Sequence, residues 1–156
     1  MRLNCEDLKK WLKTYPPMKI QEENLNEQLA RMKSAEQFPP MDRGGEGGKG
    51  SGPADPMGKM VSSRVDLERK MEDTVRKRRR EMAEIEDAIL MLPDSMQQQC
   101  LWLRYIDVDS CDPTPWKTVA KKIYRNDSDS RVRMVQNLHG DALASMLKVM
   151  QKGVTL

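Results

Sequence analysis

Residues 59 to 92 run for thirty-four positions without a proline or a glycine. Their apolar side chains recur at steps of four and three: Leu67, Met71, Val75, Met82, Ile85, Ile89 and Leu92, with Arg78 interrupting. Positions three or four apart share one face of an α-helix, so this spacing predicts one long amphipathic helix whose seam packs along another helix. Two partners fit that seam: the segment 18–36 folded back on it, or a second copy of the chain in a homo-oligomer. No stretch elsewhere alternates apolar and polar residues as a half-buried strand would, so the expected class is all-α. With 38% hydrophobic and 33% charged residues among 156, one modest core with long solvated helices is expected rather than two full-sized domains.

Upstream, Leu8, Trp11, Leu12 and Tyr15 have the i, i+3, i+4, i+7 spacing of a short amphipathic helix, which Pro16-Pro17 is expected to stop. A second helical stretch carries Ile20, Leu25, Leu29 and Met32 and fades at Phe38-Pro39-Pro40. The expected organisation is N-terminal helices over 1–40, a Gly/Pro-rich flexible linker over 41–58, the long helix over 59–92 and a final domain over 93–152. The first three segments together read as a long helical hairpin or coiled-coil-like part. In the linker, Gly48-Lys49 invites a phosphate-loop reading. That reading fails, because Gly50 stands where Ser or Thr is needed, Arg43 replaces the first glycine and no strand precedes.

Pro93 is expected to end the long helix, and Asp94-Ser95-Met96-Gln97 reads as a capping box in which Gln97 reaches back. The helix over 94–105 carries Met96, Leu101, Trp102 and Tyr105. After a loop from Asp107 to Pro113, Thr114-Pro115 signals a second start, Thr as N-cap and Pro in the first turn. That short helix holds Trp116, Val119, Ala120 and Ile123. A polar turn, Arg125 to Ser130, leads to a last helix over about 131–151, with Gly153 nearby as a stop. A short helix, a polar turn and a second helix with basic residues at its start describe a helix-turn-helix, whose second helix enters the DNA major groove.

At 100° per residue the last helix divides cleanly. Val132, Val135, Leu138, His139, Ala142, Leu143, Met146 and Met150 fall on one face, and Ser130, Arg133, Met134, Asn137, Asp141 and Lys148 on the other. Arg133 and Asn137 are suited to the edges of guanine and adenine. Arg131, Gln136, Lys117, Lys121 and Lys122 would flank them on phosphates. The charge distribution agrees: from Trp116 to Lys152 there are eight Lys or Arg and three Asp, 8 − 3 = +5, against +3 for the whole chain. A polyanion would bind there by counterion release.

The stretch from Ile85 to Met150 resembles the C-terminal helix-turn-helix of bacterial sigma factors. It is similar above all to sigma-factor-like regulators of phages and prophages, the RinA and ArpU type of late-gene activator. The residues that carry the resemblance are Leu103-Arg104-Tyr105-Ile106, Trp116-Lys117-Thr118-Val119-Ala120 and Leu138-His139-Gly140-Asp141-Ala142-Leu143, preceded by Ile85, Ile89 and Leu92. The loop from Tyr105 to Trp116 and the turn from Ile123 to Val132 are longer than the family pattern. The resemblance implies a sigma-like domain binding double-stranded DNA in transcription regulation, with host RNA polymerase a candidate second partner. It also implies a cytoplasmic setting in a bacterial or phage-infected cell. Two other readings stand beside it: a helical protein–protein interaction module, and a small terminase-type packaging protein.

Several sharper readings yield to plainer ones. Cys5, Cys100 and Cys111 are odd in number and widely spaced, and with a single His they assemble no zinc site; they read as thiols in a reducing compartment. No apolar run is long enough to span a bilayer, and Met1 to Asp7 lack a signal-peptide core, so neither membrane nor secretion is expected. Asp107 to Asp112 lacks the glycine and glutamate of a calcium loop. Arg76 to Arg80 reads as a solvated face paired with Glu72, Asp73, Glu81 and Glu84. His139 is expected to be a buried structural residue, Gly140 to allow close packing, and Trp102, Tyr105 and Trp116 to be core. No catalytic residue, metal ligand or cofactor is expected, and the chain does not read as an enzyme.

Overall fold

The computed structural model describes residues 3–37 and 56–154, and every regular element among them is helical. Six α-helices follow in order: α1 Cys5–Lys13, α2 Tyr15–Gln37, α3 Pro56–Leu90, α4 Ser95–Leu101, α5 Trp116–Tyr124 and α6 Asp129–Val154, with a π-helical turn, Trp102–Ile106, continuing α4. The fold is all-α. Most of the expected Gly/Pro-rich linker lies outside the described residues, but its last three positions do not. Pro56, Met57 and Gly58 already belong to α3, because proline's fixed φ and missing N–H suit a first helical turn.

The same physics revises the expectation for Pro16-Pro17. The pair does not merely stop α1; it lies in the first turn of α2, where backbone N–H groups have no intrahelical acceptor and a proline loses nothing. Thr14 alone separates the helices. Its N–H and hydroxyl both donate to Trp11 O, closing α1, while its own carbonyl accepts from Met18 N–H at 3.4 Å, opening α2.

The chain divides into two compact units. One is Met1–Gln21 together with Arg79–Leu156, and the other is Glu22–Arg78. Within the second unit, the later turns of α2 face the earlier turns of α3: Leu29 is buried, and Lys33 pairs with Glu72 at 3.3 Å. A partner for the seam therefore comes from the same chain. The seam is uneven, however. Met71 and Val75 are half-buried and Leu67 is 51% exposed, whereas Met82, Ile85, Ile89 and Leu92 are buried in the first unit. A heptad pattern records which face is apolar, and the neighbouring mass decides how much of it is covered.

The first unit holds the main core. Leu8 and Leu12 of α1, Tyr15 and Met18 of α2, Met82, Ile85 and Ile89 of α3, Leu101 and Tyr105, and Ala142, Leu143 and Met146 of α6 form one cluster. A second cluster of Cys100, Val119, Ala120 and Val135 joins α4, α5 and α6, with Trp116, Ile123, Val132 and Leu138 packed round it. Each fully buried Leu, Ile or Val in these clusters contributes about 1.5–3 kcal/mol.

Local caps correct two expectations. Asp94 does cap α4, accepting from Met96 N–H at 2.8 Å and Gln97 N–H at 3.3 Å, but Gln97 does not complete the box. Its Oε1 is buried without a hydrogen-bond partner, and the neighbouring Gln98 amide instead donates to Leu90 O and Leu92 O, holding the α3–α4 turn. Thr114 is not the cap of α5. Pro115 occupies that position with φ −56° and ψ 147°, while the Thr114 hydroxyl donates to Asp107 O at 3.3 Å and braces the preceding loop.

Candidate nucleic-acid interface

The arrangement around α5 and α6 starts at the π-turn. Asp107 N–H donates to Trp102 O at 2.9 Å, five residues back, so the helix widens for one turn. The widened turn sends Tyr105 into the core and Arg104 along the loop. The Arg104 guanidinium lies 4.0 Å from the Trp116 ring centroid and donates to Thr114 O; Thr114 N–H donates to Arg104 O at 2.9 Å. These contacts fasten the start of α5 to the end of α4 across the long loop.

Beneath them, Tyr105 OH and His139 Nε2 share a hydrogen bond of 2.8 Å, and the Trp116 ring meets the imidazole edge-on at 4.8 Å and 77°. His139 is 5% exposed. Burial, then the positive charges of Arg104, Lys9 and Lys13, lower its pKa to about 4, so the ring is neutral near pH 7. It has the structural role expected. Cys100 lies in the neighbouring cluster, where its thiol donates to Val135 O at 3.8 Å. Burial pushes that thiol up to about 12, which leaves it unreactive.

The connection from α5 to α6 is shorter than the sequence suggested. Helix α5 runs to Tyr124 and α6 begins at Asp129, so only Arg125, Asn126, Asp127 and Ser128 lie between them. Arg125 ends α5 in the left-handed region, φ 58° and ψ 24°. Asn126 Oδ1 accepts from Ser128 N–H at 2.8 Å, and Ser128 O accepts from Val132 N–H at 2.9 Å, starting α6 two residues before its expected first position. Asp129 in the first turn complements the positive end of the helix dipole.

The two faces of α6 separate as the periodicity requires. Val135, His139, Ala142, Leu143 and Met146 are buried and Val132, Leu138 and Met150 half-buried, while Ser130, Arg133, Met134, Gln136, Asn137, Asp141 and Lys148 are exposed. Arg133 and Asn137 lie one turn apart on the outer face. Ser130 Oγ is 3.2 Å from Ser128 Oγ. Arg131 is half-buried, its guanidinium 5.2 Å from the Tyr124 ring centroid and donating to Met134 Sδ at 3.4 Å. It therefore links α6 to α5 as well as offering charge. On α5, Lys117, Lys121 and Lys122 are all exposed, and Lys122 reaches Asp107 at 3.6 Å.

All nine expected residues thus fall on α5 and the first three turns of α6. Two features stand outside the expected residue set. Arg125 places a further exposed cation in the turn, and the Arg104–Trp116–His139–Tyr105 contacts set where α5 lies. The Leu103-Arg104-Tyr105-Ile106 string marked the region, but no periodicity announces a π-turn.

Gly140 corrects an expectation. It is exposed, and a Cβ built there meets nothing within 4 Å, so close packing against neighbouring helices does not explain it. Among the described residues no group of His, Cys, Asp and Glu could hold a metal, and no helix is long and apolar enough to cross a membrane. No family model matches the chain, and no curated protein or solved structure matches it.

Proposed function

We propose that the chain is a sequence-specific, double-stranded-DNA-binding transcriptional regulator without catalytic activity, in which α5 and α6 serve as a helix-turn-helix. The observation that carries this reading is the division of α6. Its inner face is committed to the core, while its N-terminal half offers Arg133 and Asn137 outward beside the exposed lysines of α5. A four-residue connection between the two helices suits the motif. In a major groove, Arg133 offers two donors to guanine, and Asn137 one donor and one acceptor to adenine. Lys117, Lys121, Lys122, Arg131 and Gln136 serve phosphates, and Ser130 and Met134 line the approach. The sigma-like resemblance of 85–150 supports phage or prophage late-gene control in the cytoplasm as the setting, with host RNA polymerase as a second partner.

The test is selection of a preferred duplex from a random pool, followed by titration on that duplex and a scrambled one. Arg133→Ala and Asn137→Ala should each cost about 1–3 kcal/mol on the selected duplex and little on the scrambled one. Lys121→Ala should weaken both and shallow the salt dependence by about one unit. A parent protein with no preference for any duplex overturns the reading in favour of a helical interaction module.

A further inference from the structure

Two lysines of the first unit have a clear local partner. Lys19 donates to Ile106 O at 3.3 Å and Val108 O at 3.1 Å, and Lys122 pairs with Asp107. Lys9 and Lys13 form no ion pair or hydrogen bond among the described residues. They lie four apart on α1, on the flank beside the buried pair Leu8 and Leu12, and α1 packs directly on α6. Lys9 is half-buried and Lys13 exposed.

Their position relative to α6 follows from two observations. Leu8 and Leu12 share a cluster with Ala142, Leu143 and Met146, about one and a half to two and a half turns beyond Asn137. After burial and Arg104, the positive charges of Lys9 and Lys13 also lower the His139 pKa, in keeping with the packing of α1 on α6. The next residue, Gly140, is exposed with open space above it. Going round α6, α5 covers one side through Tyr124 and Arg131, and the outer face carries Arg133, Asn137 and Gly140. The acidic residues of α1, Glu6 and Asp7, are in its first turn, away from Lys13 at the last.

We propose that α1 is part of the same nucleic-acid interface, with Lys9 and Lys13 clamping duplex phosphates on the side of α6 opposite α5. This rests on the DNA-binding reading of α6. A duplex seated on Arg133 and Asn137 has a phosphate strand on each side of the groove. The α5 lysines take one strand, and the α1 pair is the positive charge placed for the other. The bare surface at Gly140 lets a sugar–phosphate backbone approach α6 closely, which is a use for a glycine that packs against nothing. The contact is with phosphate and carries no base preference.

The experiment is a salt titration of the full chain on one mixed-sequence duplex, comparing the parent with Lys9→Gln/Lys13→Gln, the single Lys13→Gln, Lys9→Arg/Lys13→Arg and a Lys33→Gln control. Each lost phosphate contact should lower the slope of log K against log salt by about 0.9, equivalent to about eightfold weaker binding at roughly 0.1 M salt. The double Gln variant should lower the slope by about 1.8, roughly sixtyfold weaker binding at that salt, and the Arg pair should restore the parent slope. Lys33→Gln, which removes a cation paired with Glu72, should leave it unchanged. A parent slope in Lys13→Gln and in the double variant confines the interface to α5 and α6 and overturns this inference alone. A parent that fails to bind the duplex even at low salt overturns the DNA-binding reading, and this inference with it.

Discussion

Lowering the pH should destabilise the fold through His139 before most carboxylates titrate. The ring is neutral in the native state, with its pKa lowered from 6.5 to about 4 by burial and by Arg104, Lys9 and Lys13. The unfolded chain has no such surroundings and takes up the proton near the ordinary value. Between the two values the unfolded state binds more protons, so native stability is intact above the unfolded pKa and is lost as pH falls toward the folded one. Applying those two values, the loss from about pH 7.5 to about pH 5 amounts to about 2 kcal/mol, to order of magnitude. Protonation would also fix the direction of the hydrogen bond with Tyr105, because a doubly protonated ring can only donate to that hydroxyl. The assay is urea unfolding followed by helical circular dichroism at several pH values, for the parent and for His139→Gln. The variant keeps a polar side chain opposite Tyr105 but cannot titrate. Its stability should fall less steeply over this range, and the difference between the two curves isolates the contribution of the histidine. Parallel curves would refute the assignment of a buried, neutral His139.

Two further predictions concern α6 and α3. Gly140→Ala should stabilise the protein by about 1 kcal/mol, because an exposed mid-helix glycine with nothing near its would-be Cβ gives up helix propensity without a packing return; a lowered thermal midpoint would restore the close-packing explanation. Met82→Asp should cost about 3–5 kcal/mol, since the side chain is 2% exposed among apolar neighbours and a carboxylate there has no partner. A melting curve matching the parent's would place the seam in solvent.

Much of the helical layout was legible because it depends on local rules. The 3.6-residue period sorted the faces of α6 correctly, from Val135 and His139 inside to Arg133 and Asn137 outside, and Asp94 announced α4 by the chemistry of its side chain. The candidate interface was readable to the same extent, since exposure on a helix packed along one side follows from periodicity. Where two local signals competed, the contacts actually made decided between them. Pro16-Pro17 could end one helix or begin another, and Thr14 settled it by closing α1 and opening α2. Thr114 could cap α5, but the loop after the π-turn claimed its hydroxyl and left Pro115 in that place. Leu67 and Ile85 belong to one apolar stripe, yet the first is 51% exposed and the second fully buried, because the stripe records only a preference for burial and neighbouring helices supply it. The π-turn, the Tyr105–His139 bond and the placing of Lys9 and Lys13 beside α6 all join residues more than a turn apart or far apart in the chain. Such contacts exist only once the helices have packed, and no local pattern encodes them.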